Sequence, residues 1–189
     1  DDDADALIDL LARLDHAGKH VAIMAHYNHW QELGTDIARR AIRRLRDTGA
    51  EIRAQGPLLA HINDTPEAWA KLWKLQVKLG IIPYYMFVER DTGARRYFEL
   101  PLSEASRIHR EAVRQVSGLA RTARGPVMSA DPGKVEVSGV TTRTLPGEFD
   151  VHPCQRAQAF SLPKHAFVAP DEATYASNKA YPGELASHT

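Results

Sequence analysis

The stretch Val21–Leu33, VAIMAHYNHWQEL, ends an apolar run abruptly in polar side chains. A helical pattern at residues 4–14 precedes this stretch and stops at Gly18. The apolar residues that follow the glycine therefore predict a strand. His26, Asn28 and His29 come directly after that strand. Because side chains alternate between the two faces of a strand, residues 26 and 28 share one face and His29 points to the other. We therefore expect no zinc ion between His26 and His29, and we expect His29 to hydrogen-bond loop backbone.

Helical and extended patterns alternate on the C-terminal side of this strand as well. Thr35 and Thr65 are expected to cap two helices that end at Gly49 and Gly80. Further helices are expected at residues 4–14 and 103–115, and strands at VAIMA, AEIRAQ, IIPYYMFV, GPVMSA and KVEVSGV, with GPLLAHIND as a loop. Short connections between these elements favour βα units, with a parallel sheet covered by helices on its outer face.

The number of strands limits the architecture. A complete (β/α) barrel takes about 250 residues, whereas this chain has 189 and only four or five predicted strands. The fold class is therefore α/β, either an open sheet or the second half of a barrel. We expect residues 1–140 to form this βα domain and residues 141–189, where prolines replace periodicity, to form an irregular arm. The sequence shows no signal peptide, and it is left open whether the chain begins within a longer protein.

The composition limits the kinds of partner that the chain is expected to bind. The 24 basic and 24 acidic side chains balance, and no apolar run approaches the length that spans a bilayer. We therefore expect neither nucleic acid nor a membrane as a partner. We expect a cytoplasmic protein with a small-molecule ligand, and a homo-oligomer stays open. The single cysteine, Cys154, cannot alone form a disulfide framework, a structural zinc site or an iron–sulfur site.

Polar groups follow each of the first four predicted strands. Ligands of parallel sheets bind at the carboxyl ends of the strands, so we expect these groups to converge on one rim. The alternative is that these residues are polar only because the ends of strands are exposed to solvent. The groups are His26, Tyr27, Asn28 and His29 after the first strand, Gln55 after the second, Glu89, Arg90 and Asp91 after the third, and Ser129, Asp131 and Lys134 after the fourth.

Four segments resemble the second half of the lysine 2,3-aminomutase family of radical S-adenosylmethionine enzymes. They are AHYNHWQEL, GAEIRAQGPLLAHIND, LGIIPYYMFVERDTG and VSGLARTARGPVMSADPGK, in that order. The most specific parts are H-x-N-H after a strand, Q-x-x-L-L-x-x-I-N-D and P-Y-Y. The resemblance implies a partial parallel barrel that binds pyridoxal phosphate, S-adenosylmethionine and a [4Fe–4S] cluster. It also implies a radical migration of an amino group between adjacent carbons.

The resemblance assigns roles to individual residues. Lys134 stands where the family places the lysine that forms an imine with pyridoxal phosphate, although a surface lysine in a turn is the alternative. His26, Asn28 and Gln55 match positions that face S-adenosylmethionine and the cofactor cavity. Tyr84 and Tyr85 are expected either to stack on a cofactor ring or to pack in the barrel wall.

The substrate-binding positions differ from those of lysine-specific members, which place aspartates there. Arg90 stands at the first such position, with Asp91 one residue later, and Asp131 lies near the second. A guanidinium repels the ammonium group of lysine and attracts a carboxylate. These residues therefore predict a smaller or acidic amino acid as the substrate.

The C-x-x-x-C-x-x-C loop that chelates the cluster in this family has no counterpart among the 189 residues. Because three thiolates are needed to hold the cluster, the chain alone cannot start the radical reaction. Two interpretations follow: part of a pyridoxal-phosphate-dependent radical aminomutase, or a noncatalytic βα domain that acts as a binding or regulatory module.

Overall fold

The computed structural model describes residues 2–89, 94–130, 133–143, 154–161 and 165–170, which form helices and one sheet. The helices are α1 (Asp2–His16), α2 (Asp36–Asp47), α3 (Pro66–Lys78), α4 (Arg95–Phe98) and α5 (Leu102–Arg114), with 3-10 turns at Trp30–Leu33 and Gly118–Ala120. The strands are β1 (Ala22–His26), β2 (Glu51–Leu58), β3 (Ile82–Val88), β4 (Arg124–Ala130), β5 (Gly133–Arg143), β6 (Cys154–Ser161) and β7 (His165–Pro170).

The strands lie in the sheet in the same order as in the sequence. Strands β1 to β4 pair in parallel, whereas β5, β6 and β7 are antiparallel to their predecessors. The α/β class is thus confirmed, but a parallel arrangement for the fifth strand was wrong. Residues 131 and 132 alone separate β4 from β5, and parallel pairing needs a crossover of a dozen or more residues.

The structure also differs from the sequence prediction after residue 140. Strand β5 continues to Arg143, and both β6 and β7 lie in the range expected to be irregular. An antiparallel neighbour supplies main-chain hydrogen bonds to a strand whatever its side-chain periodicity. The pairing of β6 with β5 and of β7 with β6 therefore permits strands that the local pattern does not indicate.

The predicted helix signals are largely confirmed. The hydroxyls of Thr35 and Thr65 accept hydrogen bonds from Ala38 N and Ala68 N at the starts of α2 and α3. At the opposite ends, Gly49 adopts a positive φ of 88° and Gly80 one of 75°. Two details were wrong. Helix α5 begins at Leu102 with no side-chain cap, and residues 56–58, predicted as loop, belong to β2 because they pair with β3.

One hydrophobic core lies between the helices and a single face of the sheet. It joins α2, α3 and α5 to β2 and β3, and its largest buried side chains include Ile52, Leu58, Trp69, Trp73, Met86 and Ile108. Burial alternates strictly along β2, so its odd-numbered residues point to the other face. We call that other face, which α2, α3 and α5 leave uncovered, the open face.

Helix α1 packs less completely than the other long helices. Its side chains Leu7, Leu10 and Leu14 remain 39–50% exposed, and Ile37 at the start of α2 is 73% exposed. An ion pair between Asp5 and Arg44 joins the two helices. Among the described residues, none of the helices combines the length and apolar character needed to cross a bilayer.

Candidate functional site

A cavity of about 610 Å³ lies on the open face, at the carboxyl ends of β1, β2 and β3. Its wall is largely apolar and aromatic, with a few polar groups, as is typical of sites for small organic ligands. The polar lining residues are His26, Gln55, Tyr85, Glu89 and Lys134; the others are Pro57, Leu59, Phe87, Val88, Ala94 and Phe98. Three side chains that the sequence predicts for the site, those of His26, Gln55 and Lys134, therefore line one cavity.

His26 and Gln55 lie side by side at the ends of β1 and β2. They are register partners in the parallel ladder, and Tyr27 N extends the ladder by donating to Gln55 O at 3.0 Å. The Nε2 atom of His26 lies 3.0 Å from Asn28 Oδ1. Because an amide oxygen only accepts, this contact makes Nε2 the donor and leaves Nδ1 as the acceptor of a neutral ring. Asn28 thus orients His26 without itself lining the cavity.

His29 has the structural role that the sequence predicts. Its side chain accepts a hydrogen bond from Gln31 N at 3.4 Å, and the Glu32 carboxylate accepts one from His29 N at 2.6 Å, forming a capping box around the 3-10 turn. Glu32 also accepts a hydrogen bond from Asn28 N at 2.7 Å. In the described part of the chain, no group of three or more His, Cys, Asp or Glu residues could hold a metal ion.

Aromatic rings form the β3 side of the cavity. Tyr85 and Phe87 lie next to each other with ring centroids 5.1 Å apart, and Phe98 joins them from α4. A hydrogen bond with Tyr84 and partial burial raise the pKa of the Tyr85 hydroxyl, while the charge of Arg124 opposes this shift. The Tyr85 hydroxyl therefore stays protonated at neutral pH. Tyr85 lines the cavity. Tyr84 instead packs against Arg53, whose Cζ atom lies 5.3 Å from the centroid of the Tyr84 ring.

Lys134 reaches the cavity from β5, in an antiparallel hairpin. Its register partner is Ser129 of β4, and its Nζ atom lies 4.5 Å from the centroid of the Phe87 ring. The next residues on β5 alternate, so Val135 is buried against the helices while Glu136 lies on the open face and pairs with Arg124 at 3.5 Å. The hairpin thus directs the Lys134 amine towards the aromatic side of the cavity.

Other predicted positions stand apart from this group. Arg90, Asp91 and Asp131 lie outside the described residues. Glu89, which the sequence placed in the polar rim without assigning it a role, is buried at 9% exposure and lines the cavity. Phe98 was missed because α4 is a four-residue helix with no apolar period long enough to indicate it.

Comparisons with known proteins agree with the resemblance found in the sequence. Over 125 residues the chain is 39% identical to the "Putative L-lysine 2,3-aminomutase" of Aquifex aeolicus, covering 66% of this chain and 33% of that protein. Over 130 residues it is 28% identical to the L-lysine 2,3-aminomutase of Escherichia coli, covering 69% of this chain and 37% of that protein. The L-lysine 2,3-aminomutase of Methanococcus maripaludis is 30% identical over 98 residues, 52% of this chain and 22% of that protein.

No protein-family model matches the chain. The chain spans about a third of the length of the Aquifex and Escherichia relatives. The matched residues make up 66% of this chain in the first case and 69% in the second. These similarities, which reach 39% identity over 125 residues, show that the chain is a homologue of proteins named as lysine 2,3-aminomutases in three organisms.

Proposed function

We propose that this chain forms part of the active-site wall of a radical S-adenosylmethionine aminomutase that moves an amino group between adjacent carbons of an amino acid. The observation that carries the proposal is the single cavity shared by His26, Gln55 and Lys134. All three are positions to which the family resemblance gives a cofactor role. The enzyme class is an isomerase, and the relatives are named as lysine 2,3-aminomutases.

The proposed architecture is a partial parallel barrel. Strands β1 to β4 are parallel and neighbours in chain order, and α2, α3 and α5 share one face of the sheet. Repeated βα units with helices on one face are the arrangement of a barrel wall, in which the other face lines the interior. The open face would then be the interior, and the cavity would lie at its ligand-binding end.

The side chains that line the cavity suit pyridoxal phosphate. Among the described lining residues, Lys134 is the only lysine, and the rings of Tyr85, Phe87 and Phe98 offer aromatic faces for a flat pyridine ring. When bound, pyridoxal phosphate would supply a conjugated ring that delocalises an unpaired electron next to the migrating nitrogen. Lys134 would bind the cofactor aldehyde, and the aromatic side chains would hold its ring and exclude water from it.

The His26–Gln55 side of the cavity fits a polar nucleoside ligand. The Gln55 carboxamide offers both donors and an acceptor, and the His26 ring offers an acceptor because Asn28 occupies its Nε2 proton. We assign His26 and Gln55 to S-adenosylmethionine, which supplies the reactive carbon radical in this enzyme class. They would bind and orient that ligand beside the aromatic wall, and Asn28 would act through His26, whose ring it holds.

The [4Fe–4S] cluster does not fit this chain. Cluster binding through three thiolates needs three cysteines, and the sequence contains one. Among the described residues no acidic, histidine or cysteine group forms a metal site. We therefore assign no cluster ligand here and derive no step of the reaction through the cluster.

The substrate proposed from sequence is a smaller or acidic amino acid. The proposal depends on Arg90, with Asp91 and Asp131 nearby in sequence, and these three residues lie outside the described structure. Competition assays with the complete protein would compare lysine, glutamate and alanine as substrates. A strong preference for lysine would overturn this substrate assignment without affecting the family or the cofactors.

Borohydride trapping at Lys134 tests the cofactor assignment. The full chain would be incubated with pyridoxal phosphate, reduced, digested and analysed by mass spectrometry. We expect a phosphopyridoxyl group on Lys134, its loss in Lys134→Arg, and its retention in the control Lys74→Arg, which changes an exposed lysine of α3. The substitution to arginine keeps the positive charge and removes the nucleophilic amine.

The noncatalytic alternative is favoured by the single cysteine of the sequence. It predicts that Lys134 reacts no faster with pyridoxal phosphate than Lys74 does. Equal labelling of the two lysines in the folded chain would overturn the assignment of the cofactor to this cavity and support a noncatalytic binding module.

A further inference from the structure

Asn63 is a buried amide in the loop between β2 and α3, at 2% exposure. Its Nδ2 atom donates to Asn28 O at 2.7 Å and to Pro57 O at 2.9 Å. Its Oδ1 atom accepts from Leu59 N at 2.7 Å. Both amide protons and the amide oxygen are thus used, and all three partners are main-chain atoms.

These partners belong to two different segments, one that lines the cavity and one next to His26. Pro57 and Leu59 line the cavity at the end of β2, while Asn28 lies in the loop after β1. The side chain of Asn28 in turn holds His26, with Asn28 Oδ1 3.0 Å from His26 Nε2. Two consecutive hydrogen-bonded contacts therefore connect Asn63 to the His26 ring.

The loop after β2 does not need the Asn63 donors to close its own turn. Asn63 N and Ile62 N both donate to Leu59 O, at 3.1 and 3.3 Å, and His61 N donates to the Asp64 carboxylate at 2.8 Å. The contact from Asn63 to Asn28 joins residues 35 positions apart. Its structural effect is to fix one loop against the other.

We infer that Asn63 is a positioning residue, which holds Asn28 at the cavity mouth and thereby fixes the orientation and tautomer of His26. The inference rests on the proposed role of His26 in binding S-adenosylmethionine. Among isosteric side chains an amide is required here, because a carboxylate would place oxygen lone pairs against two carbonyl oxygens and donate nothing.

The first experiment measures the His26 ring directly. In the uniformly ¹⁵N-labelled full chain, long-range ¹H–¹⁵N spectra report the shifts of Nδ1 and Nε2, with His26→Gln used for assignment. We expect Asn63→Asp to move these shifts towards a mixture of tautomers, and the control Asp64→Ala to leave them unchanged. The control breaks a side-chain to main-chain bond of the same loop without touching Asn28.

The second experiment separates positioning from general destabilisation. Calorimetric titration with S-adenosylmethionine would compare Asn63→Asp in the native and His26→Ala backgrounds. We expect about a tenfold weaker affinity in the native background, and little further change once His26 is absent. Asn63→Ser replaces Asn63→Asp if the latter does not fold, because serine retains one donor.

The outcomes distinguish this inference from the proposed function. Unchanged His26 shifts in the folded Asn63 variants, or an equal loss of affinity in both backgrounds, would overturn the positioning role. Failure of the native chain to bind S-adenosylmethionine would count against the proposed ligand of His26. In that case the ring shifts alone would still decide whether Asn63 positions His26.

Discussion

The two faces of strand β2 are built differently, although their residues alternate along the same eight positions. Towards the helices, Ile52, Ala54 and Leu58 are each 2% exposed and belong to the hydrophobic core. Towards the open face, Arg53, Gln55 and Pro57 are only half-buried, and the last two line the cavity. One face therefore contributes packing, and the other presents chemical groups.

The contrast between the two faces indicates where a substitution should affect stability and where it should affect ligand binding. Side chains on the helix-covered face lose much apolar contact when they are truncated, since protein interiors are densely packed. Side chains on the open face keep water on one side and lose less. Four substitutions test this contrast.

Trp73→Ala should cause the largest loss of stability. Trp73 is 2% exposed on α3, and its ring contacts those of Trp69 and His109, each with a centroid distance of 5.7 Å. Truncation of a buried aromatic ring costs about 3–5 kcal/mol of unfolding free energy. Urea unfolding followed by circular dichroism would measure it, with Trp73→Phe as a graded variant. A loss no larger than that of an open-face substitution would contradict the contrast between the faces.

Gly56→Ala should disturb both faces. A Cβ atom at residue 56 would lie 2.2 Å from Tyr27 O and 3.6 Å from Trp69 Cη2, so the end of β1 must move away from β2. We expect a loss of about 1–3 kcal/mol and displacement of His26 from Gln55. Amide hydrogen exchange of Tyr27, which donates to Gln55 O, would measure the opening. Unchanged protection there would show that the strands absorb the methyl group elsewhere.

His109 should give the helix-covered face a pH dependence. Burial lowers the pKa of His109. The hydrogen bond to Ala123 O and the negative charge of Glu136 raise this pKa, but their effects are weaker. The unfolded chain, with an ordinary histidine pKa, binds the proton first as the pH falls. The stability from the neutral ring is thus fully present above the unfolded pKa and is lost as the pH falls through the folded pKa.

The comparison of wild type with His109→Gln isolates this contribution from the other titrating groups. Unfolding free energies at several pH values between 5 and 8 would be measured for both proteins. The wild type should lose more stability towards pH 5 than the variant. Identical pH profiles would mean that His109 does not titrate differently in the folded and unfolded states.

Gln55→Ala should have the smallest effect on stability, within about 0.5 kcal/mol. The side chain lies half-buried in the cavity wall, opposite His26. Under the proposed function, its removal should instead weaken binding of S-adenosylmethionine, measured by calorimetric titration. A large loss of stability with unchanged affinity would place Gln55 with the packing residues and not with the ligand-binding ones.

Much of the candidate site could be predicted from local patterns. Strand parity and the parallel arrangement were enough to expect His26 and Gln55 at one rim, and threonine residues marked the starts of α2 and α3. The sequence was misleading at residues 56–58, where Gly and Pro suggest a loop but pairing with β3 makes a strand. It was also silent about Phe98, which enters the cavity from a short helix.

Asn63 illustrates why the remaining part was not predictable. An Asn-Asp pair in a loop is typical of a turn, and nothing in its neighbourhood indicates a partner 35 residues earlier. Lys134 is similar, since the sequence placed it after a strand but only the antiparallel β4–β5 hairpin brings it to the cavity. Such contacts depend on how whole elements pack against each other.

Local sequence patterns predict the alternation of helices and strands, the caps of α2 and α3, and the polar character of the strand ends. These features arise from periodicity and hydrogen bonding among residues close together in the chain. The packing of whole elements establishes which strand ends share a cavity, which face of the sheet stays open, and which loop holds His26. Those outcomes depend on main-chain positions fixed by core packing and by register between distant segments, which local periodicity does not encode.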